Sequence, residues 1–224
     1  MRSSRFSERF AVVLIVITTV LGLRTAVVFG QTIPSPEEFF GFQMGADQKL
    51  ARWDKLVEYY DMIGERSDRV QVVHMGPSTL GNPFLSIFVS SPENLANLDE
   101  IKRMNAILQD PRGHSEAEVD NAIENSKVVF VQSYGLHSTE VAASQSAAEI
   151  MYDFATRNDD GINEILDNTV SILIPAFNPD GNIIVTDWYN RWVGTEYEGS
   201  GPPELYHHFI GHDNNRDAFM QATI

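Results

Sequence analysis

The chain has 224 residues, of which 43% are hydrophobic, so it is long enough for a domain with a substantial buried core. Its formal net charge of −15 argues against binding to nucleic acids or to anionic membranes. It contains no cysteine, which excludes thiol catalysis, disulfide bonds and cysteine-based zinc sites.

Residues 1–30 have the pattern of a secretory signal peptide. Three arginines precede an apolar run from Ala11 to Leu23, and Gly30 is a small residue at a suitable cleavage position. An uncleaved membrane anchor is the alternative, although the apolar run is short for a membrane-spanning helix. We expect a mature protein that begins near Gln31, is secreted or periplasmic, and has no membrane attachment after cleavage. Its formal charge is −18, because residues 1–30 contribute a net charge of +3.

The first elements of the mature chain are a helix and a hairpin. Residues 31–48 contain prolines and a glycine and predict a lead-in segment. Apolar residues recur at helical spacing from Leu50 to Ile63, and Gly64 is the predicted end of this helix. Val70–Met75 and Phe84–Ser90 predict two strands of a hairpin, joined by a turn rich in Gly, Pro and Ser.

Two further helices are predicted before the next strand. Ser91–Pro92 is a typical helix start, because proline suits the first helical position, and Asp110–Pro111 ends that helix. Ser115 and Glu118 have the spacing of a capping box and predict the start of another short helix.

The second half of the chain predicts a strand–helix–strand unit. Lys127–Ser133 contains a continuous apolar run, which is typical of a strand covered on both faces. A helix from about Thr139 to Arg157 and a second buried strand, Val170–Ala176, follow. Such a unit implies a right-handed parallel crossover. The predicted fold class is therefore α/β, with a mixed, mostly parallel sheet flanked by helices.

His137 and Glu140 lie where the first of these buried strands turns into the helix. Both side chains can point to one spot above the carboxyl end of the sheet, where ligands bind in open α/β folds. Imidazole nitrogen and carboxylate oxygen are suitable zinc ligands. Taken alone, the pair fits equally well a histidine in a turn and a glutamate whose negative charge interacts favourably with the dipole at the start of the helix.

Two later segments add to this pair. The second buried strand leads into Asn178–Gly181, with the sequence Asn-Pro-Asp-Gly, which alone predicts only a turn. The third segment, Gly211–Asp217, alone reads as a polar loop or a helix cap. In this order the three segments resemble the zinc metallocarboxypeptidase family, the carboxypeptidase A-like peptidases. The matched stretch runs from about Leu50 to the end of the chain.

The resemblance implies roles for six residues. His137 and Glu140 correspond to two zinc ligands, and Asp213 corresponds to the residue that orients the ligand histidine. Asn215 and Arg216 correspond to the pair that holds the terminal carboxylate of the substrate, a task that suits the two parallel hydrogen bonds of a guanidinium. Arg191 is the candidate for the arginine that polarises the scissile carbonyl. The implied activity is the removal of C-terminal residues from peptides with one Zn²⁺ ion, and the implied partner is a peptide or protein with a free C-terminus.

The same resemblance places the third zinc ligand, a histidine, and the general-base glutamate beyond residue 224. We therefore expect residues 49–224 to be the N-terminal portion of a catalytic domain, incomplete at its C-terminus and inactive alone. Thr139 stands where many family members carry arginine, and Asp217 stands where many carry asparagine. The preferred substrate is therefore left open.

Two other functions remain as alternatives. A zinc-dependent deacylase or amidase on the same scaffold would keep the metal pair without needing a free peptide carboxylate. A non-catalytic peptide-binding module would keep the fold and the carboxylate clamp.

Overall fold

The structure is a computed structural model that describes residues 32–203, 214–216 and 219. The predicted signal peptide at residues 1–30 and the predicted orienting residue Asp213 lie outside the described residues. Within the described ranges, every helix is too short or too polar to cross a membrane.

The described part of the chain contains eight α-helices and four strands. The helices are α1 (Pro36–Phe40), α2 (Trp53–Arg66), α3 (Pro92–Ala96), α4 (Leu98–Gln109), α5 (Glu116–Asn125), α6 (Val141–Thr156), α7 (Asp160–Asn168) and α8 (Pro179–Trp192). The strands are β1 (Val70–Pro77), β2 (Pro83–Val89), β3 (Val128–Ser133) and β4 (Thr169–Ile174). A single 3-10 turn follows at Asn214–Arg216.

The four strands form one mixed sheet in the order β1-β2-β4-β3. β1 pairs with β2, and β2 with β4, in antiparallel fashion, so the predicted hairpin is confirmed. β3 and β4 are parallel, with Val128 opposite Thr169 and Ser133 opposite Ile174, which confirms the predicted parallel crossover. The predicted α/β class with a mixed sheet is therefore confirmed. Among these strands, antiparallel pairings outnumber the single parallel one.

One face of the sheet packs against α2 and α6 to form the main core. Its largest fully buried side chains come from α2, from α6 and from the inward-facing positions of the two central strands: Trp53, Leu56, Tyr59, Tyr60, Ile63, Leu85, Ile87, Met151 and Leu173. A smaller cluster joins α4 and α5 through Met104, Ile107 and Ala122. The capping box of α5 is confirmed, because the Ser115 hydroxyl accepts from the Glu118 amide and Glu118 Oε2 accepts from the Ser115 amide.

Gly64 does not end the first long helix, contrary to the prediction. α2 continues to Arg66, and a Cβ placed at Gly64 would lie 2.9 Å from Val72 Cγ2 on β1. The missing side chain therefore serves the close packing of α2 on β1 rather than helix termination. The lead-in segment also packs on this core, because Ile33 is buried and the Tyr59 hydroxyl donates to the Pro34 carbonyl.

β3 is not covered on both faces, contrary to the prediction from its apolar run. It lies at the edge of the described sheet and pairs only with β4 there. Its side chains are largely exposed, from 40% at Val129 to 65% at Val128. The run of valines predicted the strand correctly, but burial depends on neighbours that the local sequence does not specify.

Candidate metal centre

The loops that follow β3 and β4 lie side by side at the carboxyl end of the sheet. The Tyr134 amide donates to the Ile174 carbonyl at 2.9 Å, and the Phe177 amide donates to the Tyr134 carbonyl at 2.7 Å. At the next residue of both segments, the Asn178 amide donates to the Gly135 carbonyl at 3.2 Å. The parallel pairing thus continues past both strands and brings the turn at residues 135–140 next to the start of α8.

His137 and Glu140 converge within that turn. His137 Nδ1 lies 2.9 Å from Glu140 Oε1, and the Glu140 amide donates to the His137 carbonyl at 3.0 Å. Glu140 immediately precedes α6, so its carboxylate lies at the positive end of the helix dipole. The side chains are 29% and 57% exposed, so the pair is accessible from solvent. We call residues 137–140 the metal-ligand turn, after the role that the family resemblance implies for His137 and Glu140.

This pair fits part of a zinc site. Two ligands of a tetrahedral zinc ion, at bond lengths near 2.0–2.1 Å, lie about 3.3 Å apart. The observed separation of 2.9 Å between Nδ1 and Oε1 is close to that value, and both atoms belong to the ligand types that zinc prefers. Among the described residues no group of three or more His, Cys, Asp and Glu could hold a metal ion. The role of His137 and Glu140 as two of the usual three zinc ligands stays a prediction.

Two glycines allow the backbone to pack closely around the metal-ligand turn. Gly135 has a φ of +59°, and a Cβ there would collide with the Ser144 hydroxyl on α6. Gly181 lies against Ser138, which is buried between the two ligand candidates; a Cβ at Gly181 would lie 2.6 Å from Ser138 Cβ. Neither contact was foreseen from the sequence, because each joins residues that are distant along the chain or across a turn.

The Asn-Pro-Asp-Gly segment opens a helix rather than forming an isolated turn. Asn178 is the N-cap of α8, its side-chain oxygen accepts from the Gly181 amide at 2.9 Å, and Pro179 occupies the first helical position. Asparagine at the N-cap followed by proline is a helix-start signal that the sequence analysis overlooked. The helix start, rather than a loop, therefore borders the metal-ligand turn.

Buried phenols lie beside the strand that leads into this turn. Tyr134 and Tyr60 are both buried, and burial raises the pKa of each phenol; for Tyr60 the nearby Tyr134 raises it further. Both side chains are therefore neutral at physiological pH. They add no negative charge that would compete with the carboxylate of Glu140.

Arg191 lies in the last turn of α8, exposed, with its guanidinium carbon 5.9 Å from the centre of the Trp188 ring. Ten residues separate it from Gly181, which corresponds to about 15 Å along the helix axis. The structure thus places Arg191 far along α8 from the contact with Ser138. Its role at the scissile carbonyl stays a prediction.

Asn215 and Arg216 lie in the 3-10 turn at Asn214–Arg216, and both are exposed. Exposure is compatible with contact to a substrate. Their role in holding a terminal carboxylate stays a prediction, as does the role of Asp213.

The family model described as zinc carboxypeptidase matches residues 56–222, which is 167 of the 224 residues. No curated protein sequence matches the chain significantly.

Similar solved structures include three carboxypeptidase-related proteins, each matched at low identity. The thrombin-activatable fibrinolysis inhibitor has 12% identity and a TM-score of 0.41 over 72% of this chain and 30% of that chain. The bovine form of that inhibitor, in complex with tick carboxypeptidase inhibitor, has 16% identity and a TM-score of 0.39 over 64% and 36%. A carboxypeptidase A from Helicoverpa armigera has 18% identity and a TM-score of 0.40 over 61% and 26%.

The chain therefore spans between 26% and 36% of the length of these solved structures. The family model covers most of the chain, and it includes both residues of the metal-ligand pair. The chain belongs to the zinc carboxypeptidase family.

Proposed function

We propose that this protein is a zinc-dependent metallocarboxypeptidase that removes C-terminal residues from peptides or proteins. The observation that carries the proposal is the 2.9 Å approach of His137 Nδ1 to Glu140 Oε1 in a member of the zinc carboxypeptidase family. Because the chain spans about a third of the compared structures, the activity is proposed for the full-length protein. The third zinc ligand, a histidine, and the general-base glutamate are proposed to lie in a part of the protein beyond residue 224.

Bound zinc would supply Lewis-acid polarisation of the scissile carbonyl and activation of water. His137 must present a deprotonated Nδ1 to the metal, and the carboxylate of Glu140 must be ionised. Asn215 and Arg216 are proposed to hold the terminal carboxylate of the substrate and so to place the last peptide bond at the metal. Arg191 is retained as the candidate donor to the developing oxyanion.

The first test is zinc content by elemental analysis of the full-length protein and of its His137→Ala variant. We expect one zinc ion per chain in the wild type and a loss of most of it in the variant, since a deleted ligand leaves the site incomplete. A full-length wild-type protein that carries no zinc after purification and zinc loading would overturn the proposal.

The chain offers a matched control for this substitution. His74 Nε2 lies 2.9 Å from Asp61 Oδ1, so it forms a second histidine–carboxylate pair, between β1 and α2. His74 is half exposed and lies outside the metal-ligand turn. We expect His74→Ala to retain zinc. Equal zinc loss in both variants would show that the histidines act through stability rather than ligation.

The second test separates the proposed activity from its alternatives. Hydrolysis of a peptide with a free C-terminus is compared with hydrolysis of the same peptide carrying a C-terminal amide. A carboxypeptidase strongly prefers the free acid, because the amide removes the charge that Arg216 is proposed to bind. Equal rates would favour a deacylase or amidase, and binding without hydrolysis in a zinc-loaded protein would favour a peptide-binding module.

We also propose that the protein is secreted or periplasmic and that residues 1–30 are removed as a signal peptide. The support is the basic and apolar pattern of this segment. N-terminal sequencing of the protein from its native host tests the proposal, and we expect the mature chain to begin near Gln31. A mature protein that still begins at Met1 would contradict it.

A further inference from the structure

The turn of the β1–β2 hairpin is attached to the start of α8 by one carboxylate. Asp180, the second residue of α8, accepts hydrogen bonds from the Ser78 hydroxyl, from Asn82 Nδ2 at 2.7 Å and from the Leu80 amide at 3.1 Å. The first two reach Oδ1 and the third reaches Oδ2, so both carboxylate oxygens are used. Hydrogen bonds to an ionised acceptor are stronger than those between neutral groups. We call residues 78–82 the hairpin turn.

The hairpin turn is itself internally ordered, so it can act as a fixed support. The Ser78 amide donates to the Asn82 carbonyl at 2.8 Å, and the Asn82 amide donates to the Ser78 hydroxyl at 2.9 Å. The Gly81 amide closes the turn on the Ser78 carbonyl at 3.0 Å. Because this ordered turn gives three hydrogen-bond donors to the Asp180 carboxylate, it restricts the position of the start of α8.

The same helix start touches the metal-ligand turn. Gly181, next to Asp180, packs against Ser138 so closely that a Cβ would have no room. Asn178, the N-cap, donates its amide to the Gly135 carbonyl just before the metal-ligand turn. A displacement of the start of α8 must therefore move Ser138 or open a gap beside it.

We propose that Asp180 is a positioning residue that holds the hairpin turn to the start of α8 and thereby fixes the geometry of the metal-ligand turn. Asp180 does not touch the metal or the substrate in this proposal. It acts through Gly181 and Ser138 on the spacing of His137 and Glu140. The consequence for metal binding rests on the proposed function above, but the mechanical coupling between the two turns does not.

The test is amide hydrogen exchange of the full chain, comparing the wild type with Asn82→Ala and Asp180→Asn. Asn82→Ala removes a donor on the hairpin side and leaves every residue near His137 unchanged. We expect exchange in residues 135–140 to accelerate by about threefold or more in both variants, because hydrogen-bonded contacts set the local opening equilibrium. If Asn82→Ala fails to fold, the milder Asp180→Asn, which keeps one carbonyl oxygen at this position, answers the same question.

Asp187→Asn is the matched control, because Asp187 lies on the same helix and forms an ion pair with Arg52 Nε at 2.8 Å. We expect it to leave exchange at residues 135–140 unchanged. Acceleration confined to residues 78–82 in the test variants would overturn the proposal, since the contact would then be only local. Equal acceleration in the Asp187 variant would also overturn it, since the response would then be general loss of stability.

Zinc affinity of the full-length protein gives a second readout. Partners that support metal ligands change metal affinity by about 10- to 100-fold when they are removed. Asp180 would act on the proposed ligands only indirectly, through Gly181 and Ser138. We therefore expect zinc affinity to fall by about tenfold, the lower end of this range, in Asp180→Asn and in Asn82→Ala. The double variant should lose no more than the larger of the two single losses, since the hydrogen bond that Asn82 donates is one of the three that Asp180 accepts. Additive losses would contradict the coupling, whereas a wild type without zinc would contradict only the proposed function and leave the exchange test decisive.

Discussion

Gly181 lies against Ser138, and this contact joins the start of α8 to the residue that stands between His137 and Glu140. The two positions are distant in sequence but adjacent at the carboxyl ends of the parallel strands β3 and β4. The contact leaves no room for a side chain at Gly181. We therefore expect the spacing of His137 and Glu140, the proposed ligand pair, to be sensitive to a glycine that belongs to another element.

Gly181→Ala should damage the metal centre more than the fold. The added Cβ would lie 2.6 Å from Ser138 Cβ and 2.8 Å from Asn178 Nδ2, so either the metal-ligand turn or the start of α8 must shift. Overpacking of this kind costs about 1–3 kcal/mol of stability. We expect zinc affinity to fall by about tenfold or more, as for other partners that position ligands. A chelator competition titration of the full-length protein measures it.

Gly161→Ala is the control for that substitution. Gly161 lies in α7, and the nearest atom to a Cβ there is Asp159 Oδ1 at 3.4 Å, an ordinary contact. Alanine favours helices over glycine by about 1 kcal/mol, so stability should be equal or higher and zinc affinity unchanged. Unchanged zinc affinity in both variants would show that the Gly181 contact does not govern the metal pair.

The sequence allowed the turn with His137 and Glu140 to be placed correctly, because a β-branched strand followed by a helical pattern has few topological solutions. The start of α8 was missed although its signal was present: Asn178 followed by Pro179 is a helix start, and it was interpreted as a turn. This error hid the helix whose first residues contact the metal-ligand turn.

Other features had no signal in the local sequence. The contact of Asp180 with Asn82 spans 98 positions and depends on how the hairpin turn packs against the start of α8. The exposure of β3 depends on which strands and helices lie beside it, and its valines are equally compatible with a buried position. Gly64 was taken as a helix end because glycine often is one, whereas its role is the close approach of α2 to Val72.

Zinc should stabilise the full-length protein through the metal-ligand pair. A ligand that binds only the folded state raises the unfolding free energy by about 2.7 kcal/mol at a free concentration 100 times its Kd. We expect zinc to raise the thermal midpoint of the wild type and a chelator to reverse the change. In Glu140→Gln the zinc-dependent shift should be lost, because a neutral amide is a poor zinc ligand. Differential scanning calorimetry with and without zinc measures both.

Glu58→Gln is the control for that experiment. Glu58 is an exposed carboxylate on α2 that pairs with Lys55 at 2.7 Å. Its substitution should leave the zinc-dependent shift intact. A shift that survives in Glu140→Gln would remove Glu140 from the ligand set.

Arg191→Ala tests the role that the family resemblance implies for this residue. Loss of a donor to a developing oxyanion lowers kcat by about 10²- to 10³-fold with a smaller effect on KM. Loss of a stacking contact with Trp188 costs only about 0.5–1 kcal/mol of stability at an exposed site. The proposed function predicts the first outcome, whereas an arginine that only packs on Trp188 in the last turn of α8 would give the second. Steady-state kinetics and thermal unfolding of the full-length variant separate the two, and a large loss of kcat at normal stability would establish the catalytic role.

Asp159 should make the stability of the chain depend on acid pH. It is the N-cap of α7, and its pKa is lowered first by the hydrogen bond from the Ile162 amide and then by the Arg157 guanidinium. A carboxyl group with a lowered folded-state pKa contributes stability that is present above its unfolded value, near pH 4, and is lost as the pH falls through the folded value. We expect Asp159→Asn to keep the cap, because asparagine caps as well as aspartate, but to lose this pH dependence.

Urea unfolding of the wild type and of Asp159→Asn between pH 7 and pH 3 measures the difference. The wild-type curve should fall more steeply below about pH 4 than that of the variant. Asp160→Asn, at the next position, is the control, because it removes a neighbouring carboxylate and keeps the cap that Asp159 forms with the Ile162 amide. The steeper fall of stability below about pH 4 that Asp159 causes should therefore remain in this variant. If the stability curve of Asp159→Asn instead parallels that of the wild type, the Asp159 cap does not titrate between pH 7 and pH 3. The acid sensitivity of the chain must then come from other carboxyl groups, such as Glu118 at the cap of α5.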